Sequence, residues 1–541
     1  MLPNLKPGKE MTGGLSIGDK NFDVLIYDTT LRDGSQGEGL SFSLEDKIKI
    51  AKKLDYLGIS YIEGGWPGSN PKDLEFFNVA RNMEWQHARI AAFSSTRKPD
   101  VSVEQDSNIK ALLQTGVSVA TIFGKSWDFH VMRALETTLE ENLAMIRDTI
   151  DFLKNKGMDV IFDAEHFFDG YKNNPDYALQ VLACAANAGA QCLVLCDTNG
   201  GTMPWELEAI IKKVREITEL PLGIHAHNDS GCAVSNSLLA VKQGCTQVQG
   251  TINGYGERCG NADLCSIIPS LEIKLGKKVL PAGQLKYLSE VSHYIGEVAN
   301  MPHYNNQPFV GYGAFAHKGG IHVNALLKDA LTYEHINPEE VGNHRRVLVS
   351  ELSGISNLLY KAKELNLNID NYDDQTRKVI KQIKELESQG LQFEGADASL
   401  ELFLRKAFGQ YKEFFQLKNL KLIIEKNEDD TITAEAVVKL VVGDQIFHTA
   451  AEGDGPVNAL DNSLRKALNE VYPEIAQMHL SDYKVRVLDG KQGTAARVRV
   501  LIESSDEKNQ WSTVGVSENI IEASWQAMVD SINYMLMKRN L

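Results

Sequence analysis

The stretch Leu222-Gly223-Ile224-His225-Ala226-His227-Asn228-Asp229 is an apolar run that ends in two histidines two positions apart. Such a run is typical of a buried strand, and residues i and i+2 of a strand point to the same face. Both imidazoles therefore aim at one spot. Because imidazole binds zinc, manganese and iron, the pattern predicts a site for a single divalent metal at the end of a strand.

A carboxylate that suits the same metal stands far upstream. The stretch Asp28-Thr29-Thr30-Leu31-Arg32-Asp33-Gly34 also follows a strand-like run and offers Asp33 as a ligand. One carboxylate and two neutral imidazoles leave coordination positions open for water or a substrate. The predicted metal ligands are therefore Asp33, His225 and His227.

These two stretches belong to the first and seventh of eight strand-like segments, which alternate with helical patterns from Phe22 to about Leu275. Alternation predicts a parallel sheet, and eight strand–helix units within about 250 residues match a TIM barrel, the (β/α)8 fold. A doubly wound open sheet is the main alternative, but no GxGxxG motif follows the first strand. The predicted strands are Asp23–Tyr27, Tyr61–Gly65, Arg89–Ser94, Val117–Phe123, Asp159–Glu165, Cys192–Asp197, Leu222–His227 and Gln247–Ile252.

Polar residues follow many of the predicted strands at their carboxyl ends, which is where the active sites of TIM barrels lie. Their shared position at one face of the barrel predicts a single site. In chain order they are Arg32 and Asp33 after strand one, Glu63 at strand two, Glu165 at strand five, Thr198 after strand six, His225 and His227 at strand seven, and Asn261 after strand eight.

The predicted site suits a 2-oxo acid, which chelates a metal through its ketone oxygen and one carboxylate oxygen. The metal would polarise the ketone as a Lewis acid, and Arg32 would stabilise the negative charge that develops on its oxygen. Thr198 would hydrogen-bond the substrate carboxylate or, alternatively, cap the helix that begins near Pro204. Either Glu63 or Glu165 would orient Arg32 or move protons.

At 541 residues the chain is too long for one ordinary domain. We predict a disordered tail at residues 1–21, a catalytic barrel at 22–290, helical linker subdomains at 291–411, and a C-terminal domain at 412–541. The last segment has an α+β pattern with an internal duplication, because an offset of 64 residues aligns Thr449 with Thr513 and Ala459 with Ala523. Such a module predicts a regulatory or dimerisation domain.

Composition excludes several classes of protein. The net charge of −16 argues against a nucleic-acid partner, since phosphate binding needs clustered Lys and Arg. No apolar run approaches the roughly 18 residues that span a bilayer, so we expect no membrane partner. The seven cysteines are odd in number and lack a CxxC or disulfide pattern, which favours reduced thiols and a cytoplasmic location.

Three separated blocks identify a family resemblance. The string Tyr27–Gln36, the pair His225-x-His227 and the loop Gly254-Tyr255-Gly256-Glu257-Arg258-Cys259-Gly260-Asn261 resemble the 2-isopropylmalate, homocitrate and citramalate synthases. These enzymes share an acyl-CoA-condensing barrel with 3-hydroxy-3-methylglutaryl-CoA lyase. Within the group, the stretches Glu63–Pro71 and Phe162–Gly170 are most similar to one branch of the citramalate synthases.

The resemblance implies roles for individual residues at the metal. Asp33, His225 and His227 match the metal ligands, and the metal would be zinc, manganese or magnesium. Asn261 matches a position that ligates or supports the metal in some members. One departure is Asp163, which stands where some citramalate synthases carry Tyr.

The resemblance also implies how the 2-oxo acid is bound. Arg32 matches the arginine on the keto oxygen, and Glu63 matches the carboxylate associated with that arginine. Thr198 matches the contact to the substrate carboxylate. The reaction implied is a metal-dependent Claisen condensation of acetyl-CoA with pyruvate to citramalate and CoA, within isoleucine biosynthesis; the alternatives are the 2-isopropylmalate and homocitrate synthases, which accept other 2-oxo acids.

Activation of acetyl-CoA, the co-substrate, is implied for three further residues. Glu165, His322 and Tyr333 match the residues concerned, and in the family the last two come from the linker of a partner subunit. The resemblance therefore implies a homodimer. It also implies that the C-terminal domain binds isoleucine as an effector.

Overall fold

The computed structural model describes residues 15–17, 20–367, 369, 374–488 and 496–539. Eight parallel strands form a closed barrel in chain order, and the last strand pairs with both the seventh and the first. This closure confirms the predicted TIM barrel and rules out the open sheet. The strands are β1 (Leu25–Asp28), β2 (Tyr61–Gly65), β3 (Arg89–Ser95), β4 (Val119–Lys125), β5 (Asp159–Glu165), β6 (Cys192–Asp197), β7 (Leu222–Ala226) and β8 (Gln247–Gly250).

Helices cover the outside of the barrel, so its strands are buried on both faces, as in other all-parallel sheets. The first helix shows how the sequence sets the ends. Ser43 and Asp46 form a reciprocal capping box at its start, and Gly58 ends it with φ of 96°. The helices of this region are Leu44–Leu57, Pro71–Ala80, Ser107–Gln114, Asp128–Arg133, Leu139–Asn155, Phe167–Asn173, Pro175–Ala188, Pro204–Arg215, Ala233–Lys242, Leu264–Pro269 and Leu288–Val298.

The chain divides into two compact units. The first is Met1–Phe315 with Ile336–His344, and the second is Ala316–His335 with Arg345–Leu541. The domain boundaries predicted at residues 290 and 411 stay predictions. Of the predicted tail, residues 1–14 and 18–19 lie outside the described residues, whereas Leu15–Ile17 pairs with Lys20–Phe22 as two short antiparallel strands.

The second unit begins with helices and ends with sheets. Short parallel strands at Ala316–His317 and Arg346–Val347 pair with each other. The helix Gly320–Leu326 comes first. The helices Ile355–Glu364, Asp374–Ser388 and Asp397–Ala407 then pack around a small apolar core that includes Leu358 and Leu404.

The C-terminal part contains two copies of one α+β motif, which confirms the predicted duplication. Each copy is a three-stranded antiparallel sheet followed by a helix. The same side-chain hydrogen bond recurs at the predicted offset: Oγ1 of Thr449 donates to the carbonyl of Ser463, and Oγ1 of Thr513 donates to that of Ala527. The elements are β9 (Gln416–Lys426), β10 (Ile432–Val442), β11 (Gln445–Gly453) and the helix Pro456–Leu468, then β12 (His479–Val487), β13 (Val498–Ser505), β14 (Gln510–Ser517) and the helix Ile520–Arg539.

Two further observations concern the cysteines and the helices. All seven cysteines are free, as predicted for reduced thiols. Among the described residues, no helix has the length and apolarity needed to cross a membrane.

Candidate active site at the mouth of the barrel

The three predicted metal ligands meet at the carboxyl end of the barrel. Nε2 of His225 lies 3.2 Å from Oδ2 of Asp33, and Nε2 of His227 lies 3.7 Å from the same oxygen. The two Nε2 atoms are 3.4 Å apart. Ligand atoms that bind one ion at about 2.1 Å stand no more than about 4.2 Å apart. The geometry therefore fits a single divalent cation without movement of the backbone.

The protonation states of Asp33 and His227 also suit a cation. Burial lowers the pKa of His227 to about 4, aided by the neighbouring His225, so its imidazole is neutral at pH 7. Burial opposes ionisation of Asp33, but Arg32 and the two histidines outweigh it and hold the pKa of Asp33 well below its usual value. For His225 burial is likewise outweighed, because the hydrogen bond and charge of Asp33 raise its pKa.

Asn261 joins this cluster because the loop after β8 folds back onto β7. His227 and Asn261 form an isolated antiparallel bridge. Nδ2 of Asn261 donates to Oδ2 of Asp33 at 2.8 Å, whereas Oδ1 is buried with no hydrogen-bond partner among the described residues. A Cβ at Gly256 would come within 1.9 Å of that oxygen, so the loop needs glycine there. Since a half-turn of the amide exchanges its two atoms, Asn261 offers either a donor to Asp33 or an oxygen to the cation.

Arg32 is fixed beside the cluster by three neighbours. Its Nε donates to Oε2 of the fully buried Glu63 at 2.6 Å, and its guanidinium stands 3.7 Å above the ring of Phe93. Nη1 lies 3.5 Å from Oδ1 of Asp33. Glu63 is itself held by hydrogen bonds from Tyr27 and Thr29. Glu63 therefore contacts Arg32 directly, as expected for the first of the two roles left open for it, and the role itself stays a prediction.

A cavity of about 200 Å³ opens above Arg32 and the metal ligands. Trp66, Phe93 and Phe123 form an aromatic wall, in which the rings of Phe93 and Phe123 stack at 5.1 Å and Trp66 meets both edge-on. Thr198 also lines the cavity. Its Oγ1 accepts a hydrogen bond from the backbone amide of His166, so its hydroxyl hydrogen remains free to donate to a ligand. This contact differs from the helix cap that was the alternative for Thr198.

Glu165 lies on the same cavity, at the end of β5. Its carboxylate forms an ion pair with Nζ of Lys125, which ends the neighbouring strand β4. The two side chains are only 23% and 16% exposed, so the pair is shielded from bulk water. A carboxylate in this position can accept a proton from a bound ligand.

His322 and Tyr333 belong to the second unit. His322 lies in the first turn of the helix Gly320–Leu326, and Tyr333 follows a single helical turn at Ala330–Thr332. Their rings stack with centroids 4.2 Å apart and an interplanar angle of 25°. Tyr333 is 44% exposed. The part predicted for these two residues in activating acetyl-CoA stays a prediction.

The sequence analysis missed the aromatic wall and Lys125. Each of these residues lies at or just beyond the carboxyl end of a predicted strand: Trp66 after β2, Phe93 on β3, and Phe123 and Lys125 on β4. The same strand-end rule that selected Glu63 and Glu165 applies to them. It was used only for polar residues that suit a metal or a proton transfer, and an aromatic wall gives no such chemical signal. Lys125 was missed because the strand was predicted to end at Phe123, two residues too early.

Comparison with known families covers most of the chain in three segments. The HMGL-like family matches residues 23–295, which contain the barrel. The family described as "Homocitrate synthase post-HMGL domain-like" matches residues 309–391, and the "LeuA allosteric (dimerisation) domain" matches residues 394–536.

Full-length relatives narrow the assignment. The chain is 56% identical over 516 residues to an (R)-citramalate synthase of Geobacter sulfurreducens, covering 95% of this chain and 98% of that protein. It is 57% identical over 517 residues to the (R)-citramalate synthase of Aquifex aeolicus, with the same coverage. A 2-isopropylmalate synthase of Methanocaldococcus jannaschii is 33% identical, with 98% of both chains covered. The chain therefore belongs to the (R)-citramalate synthase family.

Proposed function

We propose that this chain condenses acetyl-CoA with pyruvate and hydrolyses the thioester product, releasing citramalate and CoA. The observation that carries the proposal is the convergence of Asp33, His225 and His227 next to a guanidinium, at the base of a small cavity. Relatives named (R)-citramalate synthase, 45–57% identical to this chain, favour pyruvate over the 2-oxo acid of the more distant 2-isopropylmalate synthases.

Asp33, His225 and His227, with Asn261 beside them, would hold a divalent cation, which would supply a Lewis acid for the ketone of the 2-oxo acid. Arg32 provides the second positive charge at the same place. Because Glu63 and Phe93 fix its guanidinium, Arg32 stabilises the charge that develops on the ketone oxygen without having to reorganise.

Thr198 and the aromatic wall account for binding of pyruvate itself. The free hydroxyl hydrogen of Thr198 donates to the carboxylate of the substrate. The rings of Trp66, Phe93 and Phe123 surround its methyl group and limit the space for a longer side chain. One added methylene in an apolar pocket changes binding by about 1–3 kcal/mol, so this wall is where discrimination between 2-oxo acids arises.

Glu165 is the proposed base. It removes a proton from the methyl group of acetyl-CoA, and the electron pair of that C–H bond forms the new C–C bond to the ketone carbon. The π pair of the ketone moves onto its oxygen, which takes up a proton and becomes the hydroxyl of the product. Lys125 keeps the carboxylate oriented through their ion pair. Water then attacks the thioester carbonyl, the C–S bond breaks, and CoA leaves as the thiol. His322 and Tyr333 are proposed to take part in the activation of acetyl-CoA.

The C-terminal domain is proposed to make the protein a homodimer that isoleucine regulates. Support for association comes from the matched dimerisation domain and from apolar side chains exposed on its sheets. These side chains are Leu417, Ile424, Ile432, Ile446, Leu480, Val485 and Val487. Candidate effector contacts are the loops Gly453–Gly455 and Ser517–Asn519, which are related by the internal repeat.

A thiol-release assay tests the proposed function. The protein with Mg²⁺, Mn²⁺ or Zn²⁺ is given acetyl-CoA and pyruvate, 2-oxoisovalerate or 2-oxoglutarate in parallel. We expect release of CoA to be fastest with pyruvate, and chromatography of the product to show citramalate. Release of CoA with 2-oxoisovalerate alone would contradict the proposal and assign the chain to 2-isopropylmalate synthesis.

A further inference from the structure

Two buried polar side chains inside the barrel have no part in the proposed chemistry. Asp163 on β5 is 4% exposed, and Gln249 on β8 is 1% exposed. Burial of a carboxylate and a primary amide is unfavourable unless both find partners. Nε2 of Gln249 donates to Oδ1 of Asp163 at 3.0 Å, and Oε1 of Gln249 lies 2.9 Å from Nδ1 of His225. The three side chains therefore form a continuous hydrogen-bonded series that ends on a predicted metal ligand.

The donors and acceptors of this hydrogen-bonded series have a fixed order. A carboxylate oxygen of Asp163 can accept a hydrogen bond from the amide nitrogen of Gln249 but cannot satisfy its oxygen. In the structure it is Nε2 of Gln249 that faces this carboxylate, and Oε1 of Gln247 is a second acceptor for it at 3.5 Å. With its nitrogen so engaged, Gln249 presents its oxygen to His225. Nδ1 of His225 must then carry a hydrogen, which leaves Nε2 as the nitrogen that faces Asp33 and His227.

The hydrogen-bonded series also crosses the interior of the barrel. β5 pairs with β4 and β6, whereas β8 pairs with β7 and β1, so Asp163 and Gln249 reach each other through the interior. Gln249 is thus held from across the barrel as well as by its own strand. A residue held in this way fixes the ring plane of His225 as well as its tautomer.

His227 lacks a comparable support. Its Nδ1 is buried with no hydrogen-bond partner among the described residues. The two imidazoles of the site therefore differ: His225 is oriented by the hydrogen-bonded series, and His227 by its strand-end position and packing.

We infer that Gln249, anchored by Asp163, is a positioning residue that fixes the tautomer and orientation of His225 for binding of a divalent cation. The inference rests on the metal site of the proposed function and assigns a structural reason to Asp163, the position where the chain departs from some of its relatives. Groups that orient a metal-bound histidine in this way typically change metal affinity by about 10–100-fold when they are removed.

The test measures metal affinity rather than turnover. Metal-free protein is titrated with Mn²⁺ and Zn²⁺ in competition with a chromophoric chelator, for the wild type and for Gln249→Met, which keeps the volume and removes both hydrogen bonds. We expect the affinity of Gln249→Met to fall about 10–100-fold. Gln307→Met is the matched control, because Gln307 is also a buried glutamine whose amide donates to a carboxylate, that of Asp263, but it contacts no metal ligand. Its affinity is expected to equal that of the wild type.

A pair of variants at Asp163 keeps the test decisive if Gln249→Met fails to fold. Asp163→Asn retains an acceptor oxygen for Gln249 and is expected to bind metal like the wild type, whereas Asp163→Leu removes the anchor and is expected to weaken binding. Circular dichroism and the melting temperature confirm folding of each variant. Affinity equal to the wild type in a folded Gln249→Met or Asp163→Leu overturns the inference while leaving the proposed function intact. A wild-type chain that binds no cation overturns both.

Discussion

The barrel mouth and the C-terminal repeat bury polar groups of different kinds. At the mouth, Asp33, His225 and His227 are buried together with Glu63, and neighbouring charges shift the pKa values of Asp33, His225 and His227. In the repeat, many of the buried polar groups are hydroxyls that bond to nearby backbone or to each other, such as Thr513 to the carbonyl of Ala527. Clustered buried charges reduce stability and mark a site for chemistry, whereas satisfied hydroxyls mark packing.

The largest effect on turnover is expected when a predicted metal ligand at the barrel mouth is removed. His227→Ala should lower turnover about a thousandfold or more, since a Lewis acid contributes several kcal/mol and about 1.4 kcal/mol is a factor of ten. His293→Ala is the control, because His293 contacts the backbone of Val310 and lies outside the site. Both variants should fold, as judged by circular dichroism. Wild-type turnover in His227→Ala would remove that residue from the active site.

The second largest effect is expected for replacement of Arg32, whose guanidinium is held in one orientation. Arg32→Lys keeps the charge but loses the bond from Nε to Glu63 and the stacked guanidinium, so kcat should fall about a hundredfold. Arg89→Lys provides the comparison, because Arg89 pairs with Asp159 where β3 and β5 begin, at the opposite end of the barrel. It should leave kcat and KM unchanged. A raised KM with unchanged kcat in Arg32→Lys would show that Arg32 only binds the substrate.

The pH dependence of metal affinity gives a smaller, continuous effect. The pKa of His225 is raised because its hydrogen bond to Asp33 and the charge of Asp33 outweigh burial, so a proton on Nε2 competes with the cation. Affinity should therefore fall by up to about tenfold per unit as the pH drops through that raised pKa, and level off above it. Titrations from about pH 6 to about pH 9 measure this. A flat profile would mean that His225 binds no proton in competition with the metal.

Inhibition by isoleucine should change with substitutions in the C-terminal repeat and not with substitutions at the barrel mouth. Asp454→Ala alters a candidate effector loop and should weaken inhibition by isoleucine several-fold while leaving turnover unchanged, within the usual range of coupling between sites. Asp444→Ala, in the turn between β10 and β11, should leave inhibition unchanged. Equal inhibition in both variants would place the effector elsewhere.

The smallest effect is expected for the hydroxyls of the repeat. Thr449→Val and Thr513→Val each remove one internal hydrogen bond and should lower the free energy of unfolding by about 1 kcal/mol, with no change in kcat. Chemical denaturation measures the first quantity. A loss of turnover in either variant, at unchanged metal affinity, would mean that the two regions are not separable in function.

Most of the fold and the meeting of the candidate metal ligands were predictable from local sequence. Strand–helix alternation predicted the barrel, the i, i+2 spacing predicted the shared orientation of His225 and His227, and the 64-residue offset predicted the repeat. That the two histidines bind a metal stays a prediction. Element ends were less accurate: β8 ends at Gly250, before the predicted Ile252, because Ile252–Gly254 forms a helical turn.

Which individual side chains pair between distant strands was not predictable, although their convergence at one end of the barrel was. The stacking of Arg32 on Phe93 and the pairing of Asp163 with Gln249 join residues 61 and 86 positions apart, which is 93−32 and 249−163. Neither pair has a spacing that local periodicity selects. Such contacts depend on which strands face each other across the barrel, and that is known only once the barrel is closed.

Removal and return of the cation is the most direct test of the site. The protein is stripped with a chelator, and Mn²⁺ or Zn²⁺ is then added back while bound metal and citramalate formation are followed together. The account predicts one ion bound per chain, with turnover absent before the addition and rising in proportion to the bound ion. Full turnover by protein that elemental analysis shows to be metal-free would contradict it.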